Sequence, residues 1–168
     1  MAKKFNTQFM CFLFAILLIL PLILSGCGIP KDKDAPEITV DYLSHGYADQ
    51  LISDGAEKII GSIELLKNEK EEILVTVHQK ELIPDENEEN GYRIVSYAAN
   101  QEYSLPSHAY CTFLTGKKSG SSEILSSEEF LTAIQEDYKN NGDFSEYGDF
   151  ILYDIYVLDD QIQLILAR

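Results

Sequence analysis

Apolar and polar positions divide the chain into two unlike parts. Phe9 to Leu24 is one apolar run, broken only by Pro21, and Lys3 and Lys4 precede it with no acidic residue anywhere in 1–26. Beyond residue 56 the pattern changes to short β-rich runs separated by charged, Gly or Asn-bearing turns. Ile59–Leu66 and Ile73–Ile83 flank the charged stretch Lys67–Glu72, and Ile73, Val75 and Val77 share one face, so a long hairpin is expected. Gly61 has no side chain to pack inside the first run and predicts a bulge or bend that curls the sheet. The acidic loop Pro84–Gly91 leads to a third strand, Tyr92–Tyr97, and Pro106 separates that strand from Ala109–Leu114.

Ser126-Ser127-Glu128-Glu129 reads as a capping box, and Phe130, Ile134 and Tyr138 recur every four residues, predicting an amphipathic helix that stops at Asn141-Gly142. Phe150–Leu158 is apolar on both faces except at Asp154, as in a strand covered on both sides. Asp159-Asp160 turns it into Gln161–Ala167, where Ile162, Leu164 and Leu166 share a face. Residues 37–56, with Tyr42, Tyr47, Leu51 and Ile52, read as a short helix or an irregular segment.

The expected class is α+β, mainly β, with one amphipathic helix. Three strands, a helix, then two strands, with the first strand bent at a glycine, resembles a small OB-like barrel. The strand around Cys111 exceeds that five-strand plan unless the third strand continues through a kink at Pro106. A curled antiparallel sheet or a generic α+β sandwich is the alternative.

The N-terminal run at 1.5 Å per residue covers about 24 Å, short of the roughly 30 Å of a bilayer's hydrocarbon core, which favours an export signal over a spanning helix. Leu24-Ser25-Gly26-Cys27 follows it and resembles the lipobox of bacterial lipoproteins at all four positions. That resemblance implies diacylglyceryl attachment to the Cys27 thiol and cleavage just before it, so that acyl chains hold the mature chain on the membrane, facing outside the cytoplasm. Three segments are therefore expected: a signal peptide at 1–26, the lipidated cysteine with a polar tether at 27–36, and one extracytoplasmic domain at 37–168.

With 28 acidic and 13 basic side chains the net charge is −15, and removal of 1–26 takes it to −17. That balance argues against nucleic acid as a partner. Of three cysteines, Cys11 leaves with the signal and Cys27 is acylated, which strands Cys111, alternating with Ala109 and Phe113, as an inert core thiol without a disulfide. His45, His78 and His108 lack metal-ligand spacing, and His108 and Cys111 fall on opposite faces of a strand. The loops from Asp85 and from Asp137 each break the calcium-loop pattern twice. Neither a nucleophile elbow nor a phosphate loop occurs. No catalytic, cofactor or metal residue is assigned. The expected function is a non-catalytic binding module at the cell envelope for a protein, peptide or glycan. The alternative is an envelope hydrolase with a dispersed carboxylate site, which two carboxylates of raised pKa in a deep pocket would favour. Tyr92, Tyr97, Tyr103 and Tyr110 are the aromatics whose exposure would mark a ligand face.

Overall fold

A computed structural model describes residues 36–114 and 121–168, and the chain divides at Pro36 into two units, of which Glu37–Arg168 is described here. The expected signal peptide, Cys27 and the tether up to Ala35 lie outside the described residues. Among the described residues no helix is long and apolar enough to cross a membrane.

The unit opens with three continuous helical pieces, α1 (Val40–Tyr42), a π turn (Leu43–Tyr47) and α2 (Ala48–Ser53). Then follow β1 (Glu57–Lys67), β2 (Ile73–Pro84), β3 (Tyr92–Leu105), β4 (Tyr110–Leu114), β5 (Ser122–Leu125), α3 (Ser127–Asn141), a 3-10 turn (Gly148–Phe150), β6 (Tyr153–Leu158) and β7 (Gln161–Ala167). The strands form one sheet in the order β3-β2-β1-β6-β7-β4-β5, and a further pairing of β3 with β7 closes a ring of five.

Gly61 is where that ring turns. β1 pairs with β6 over Glu57–Gly61 and with β2 over Gly61–Lys67, so Gly61 faces Tyr153 on one side and Gln79 on the other. A Cβ at Gly61 would lie 2.7 Å from the His78 carbonyl oxygen, which only glycine avoids. The sheet is mixed and not purely antiparallel, because β7 runs parallel to β3 at Ser104–Gln161 and to β4 at Tyr110–Leu164. The crossover through α3 brings the chain back in that sense, as a parallel pair requires. β4 takes up the run along β7 that β3 leaves off, after a turn closed by Ala109 N–H donating to the Pro106 carbonyl at 3.1 Å. The third strand thus continues past Pro106, with β5 added outside β4.

Three further expectations are corrected, while the short helix expected within 37–56 is present. β3 extends to Leu105, well past Tyr97, although Ala98-Ala99-Asn100-Gln101 lacks any apolar alternation, because after an irregularity at Tyr97–Ala99 pairing with β2 resumes at Asn100 and runs on to Leu105. The strand expected from Phe150 starts at Tyr153, since the preceding chain coils around Gly148, whose missing side chain leaves room for the Tyr138 ring. His108 sits in the exposed turn before β4 and not on a strand face. Residues 40–53 are helical; Leu51 is buried as its pattern allowed, whereas Ile52 is exposed.

α3 forms as its capping box dictates: the Ser126 hydroxyl accepts from Glu129 N–H, and Ser126 N–H donates to the Glu129 carboxylate at 2.9 Å. Phe130 and Ile134 enter the core with Ile63, Val75, Tyr153, Ile155 and Ile165. A second cluster on the other face of β6 and β7 joins Tyr156, Leu164 and Leu166 to Leu43, Ala48 and Leu51 of the N-terminal helical pieces. β6 is therefore apolar on both faces because both are covered.

Candidate binding cleft

Beyond the ring, β2 and β3 continue as an arm in which Lys80–Pro84 pairs with Tyr92–Ser96. The arm begins at a bulge, where Tyr97, Ala98 and Ala99 of β3 lie opposite Gln79 alone. It ends in a loop fixed by Asp85, whose carboxylate accepts from Asn87 N–H at 3.0 Å and whose own N–H donates to the Gly91 carbonyl at 3.0 Å. Gly91 adopts φ 73°, a conformation that glycine takes without strain.

Between this arm and the chain that follows α3 lies an open cleft of about 840 Å³. Tyr92, Ile94, Phe113, Tyr147, Phe150 and Ile151 form its apolar walls, and Glu88, Arg93, Asp137 and Arg168 supply charge. Phe150 is 73% exposed, Ile94 43%, Tyr92 37% and Leu114 36%, so four large apolar side chains meet solvent around one opening. Isolated exposed apolar residues are ordinary, whereas several around one concavity mark an interaction site. Of the tyrosines singled out by sequence, Tyr92 lines the cleft and Tyr97 is exposed, its hydroxyl donating to Glu81 at 2.7 Å. Tyr103 packs against the core, and Tyr110 meets Tyr47 edge-on at 5.4 Å.

The cleft wall at Tyr147–Phe150 is fastened by a polar clamp. Lys80 on β2, its side chain 4% exposed, donates to Asp149 at 2.7 Å and to the Ser96 hydroxyl at 2.9 Å. Ser62 on β1, fully buried, donates to the same Asp149 oxygen at 2.9 Å. Burial opposes ionisation of Asp149, but the hydrogen bonds from Lys80 and Ser62 and the charge of Lys80 outweigh it and hold the carboxyl below its ordinary range. His78 bonds Glu64 at 2.8 Å and lies over Phe144 at 4.4 Å, and the Tyr138 hydroxyl donates to the Ile63 carbonyl at 2.7 Å. Lys80 donates to both partners and so ties the segment carrying Asp149 to β2 and β3. The sequence reading assigned none of Ser62, Lys80, Ser96 and Asp149. The available cue was Lys80, a charge set inside an otherwise β-rich run.

Cys111 is fully buried, and burial pushes its thiol up to about 12. His45 pairs with Asp41 on the exposed helical surface. The carboxyls with shifted titration, Glu129, Asp143 and Asp149, all move down, and none lines the cleft. Among the described residues no three His, Cys, Asp or Glu side chains gather as metal ligands. No protein-family model, curated protein or solved structure matches the chain.

Proposed function

We propose that the protein is a lipid-anchored, extracytoplasmic binding module built on an OB-like barrel, and that its cleft holds the partner. The observation that carries the binding role is the exposed apolar cluster of Tyr92, Ile94 and Phe150 around one cavity, with the segment that carries Phe150 fastened by the Lys80–Asp149 pair. The ring supports the barrel reading: its first strand pairs with the second and the fourth and turns at Gly61, and α3 joins the third ring strand to the fourth. β4 continues the third ring strand along β7, and β5 is added outside it. Leu24-Ser25-Gly26-Cys27 supports the anchor, with two or more acyl chains on Cys27 giving lasting attachment where one would not. The partner is an envelope protein, peptide or glycan, the binding involves no catalysis, and the chain works on the outer side of a bacterial membrane.

Radiolabelled palmitate is expected in the wild-type protein and not in Cys27→Ser; label that survives the substitution removes the anchor. For the cleft, the full chain is crosslinked in intact membranes as wild type and as Phe150→Ser, an exposed position whose change spares the core. One dominant adduct that falls at least about tenfold in Phe150→Ser, equal to about 1.4 kcal/mol, is expected. An adduct indifferent to Phe150→Ser moves the partner off the cleft, and the absence of any adduct rejects the binding role.

A further inference from the structure

β3 has one neighbour along most of its length. Its ladder with β2 runs from Tyr92 to Leu105, whereas on its other edge, among the described residues, only Ser104 is paired. In an antiparallel ladder alternate residues direct their N–H and C=O groups to the partner and the intervening ones point them away. The outer edge of the arm is therefore an open row of backbone donors and acceptors. Ten of the fourteen residues of β3 are exposed. Sheets ordinarily blunt such an edge with charge, Pro or a bulge; here the bulge sits beyond Tyr92–Ser96, and that segment carries Arg93 as its one charge and no proline. The bulge at Tyr97–Ala99 leaves Tyr92–Ser96 as the outer half of a two-stranded ribbon, an arrangement that is marginal in water until a third strand joins it.

Resting on the binding-module reading, we propose that the open edge of Tyr92–Ser96 takes an extended, positively charged segment of another protein as an added strand. Its backbone pairs with β3, and alternate apolar side chains enter the cleft beside Tyr92, Ile94 and Phe150. Charge selects this occupant. Residues 81–102 carry six acidic side chains against Arg93 alone, and four of the acids, Asp85, Glu86, Glu88 and Glu89, sit in the loop at the arm's tip. The same charge disfavours a second copy, because each copy would bring the same net-negative arm against the other. A strand reads backbone first, so selectivity comes from the charge and from the spacing of the apolar residues.

The test is amide hydrogen exchange on the full chain in detergent micelles with blocked decapeptides as probes. A peptide alternating lysine and valine is compared with one alternating glutamate and valine, and with the lysine peptide N-methylated at every second residue. Saturating lysine peptide is expected to slow the outward amides of Tyr92–Ser96 by about tenfold or more. The N-methylated and glutamate peptides are expected to leave them unchanged. Equal protection by all three probes, or none in 92–96 with the lysine peptide, overturns strand addition. Protection that rises with protein concentration and no peptide assigns the edge to a second copy and overturns it equally. Cleft adducts lost in Phe150→Ser, found together with unprotected β3 amides, would retain the module and discard the added strand.

Discussion

Asp149→Ala tests the clamp that holds the cleft wall. The substitution leaves the Lys80 ammonium, 4% exposed, with the Ser96 hydroxyl as its hydrogen-bond partner among the described residues. Orphaning one member of a buried pair costs about 3–5 kcal/mol, and because Asp149 is itself 36% exposed, solvent screening reduces this to about 2–3 kcal/mol. A unit the size of Glu37–Arg168 unfolds with an entropy for which 1 kcal/mol corresponds to about 3.6 °C, so the midpoint should fall by about 7–11 °C. Lys80→Met removes the buried charge and leaves the more exposed carboxylate, which can turn to water, so about 1 kcal/mol and a fall of about 4 °C are expected. The asymmetry is the signature of the clamp. It also carries a pH dependence. The Asp149 carboxyl is held below its unfolded value, so its stabilisation is full above the ordinary carboxylate pKa of about 4 and fades as pH falls through and below that value. Thermal unfolding followed by circular dichroism from pH 7 to pH 3 should therefore show the wild-type and Asp149→Ala midpoints converging at the acid end. A loss under 2 °C at pH 7, a larger loss in Lys80→Met, or a difference that is flat with pH would refute this reasoning.

Gly61→Val places a side chain against the His78 backbone and should cost about 1–3 kcal/mol by forcing β1 away from β2, read as an earlier urea midpoint; an unchanged midpoint would show that the strands meet elsewhere. Phe130→Ala, at a fully buried position of the helix, should cost about 3–5 kcal/mol in the same assay. Asp159 and Asp160 both adopt positive φ in the β6–β7 turn, so Asp160→Gly should be neutral or stabilise by up to about 1 kcal/mol, whereas Asp160→Val should destabilise by at least as much. The Cys111 thiol, buried and pushed up to about 12, should resist a thiol reagent in the native protein and react at once in denaturant, with rapid native labelling as the contrary result.

Where side-chain chemistry acts locally, the sequence was enough to place the structure. Ser126 and Glu129 set the start of α3, Asp159-Asp160 set the last hairpin, and Gly61 marked the bend, because each acts through its nearest backbone neighbours. The apolar alternation of Ile73, Val75 and Val77 placed β2 in the core by the same logic. What stayed hidden depends on residues far apart in the chain. Ser62 and Asp149 are separated by 87 positions, and Lys80 and Asp149 by 69, so no local pattern joins them. Phe150 fits an apolar strand by composition, yet it ends the 3-10 turn that begins at Gly148, packed against Tyr138, and it is exposed to solvent. The length of β3 was illegible for a related reason: its Ala-Ala-Asn-Gln stretch has no apolar alternation, Ala98 and Ala99 lie in the bulge opposite Gln79, and pairing with β2 resumes only at Asn100.

Site-resolved photocrosslinking in intact membranes tests the central claim, that this is an anchored module working through its cleft. A photoreactive residue is placed at Phe150 in the cleft and, in a parallel protein, at Gln135 on the exposed face of α3. The account predicts one dominant adduct from Phe150, little from Gln135, and loss of the Phe150 adduct in Cys27→Ser. Equal labelling from both positions, or a Phe150 adduct that persists when Cys27 is changed, would contradict it.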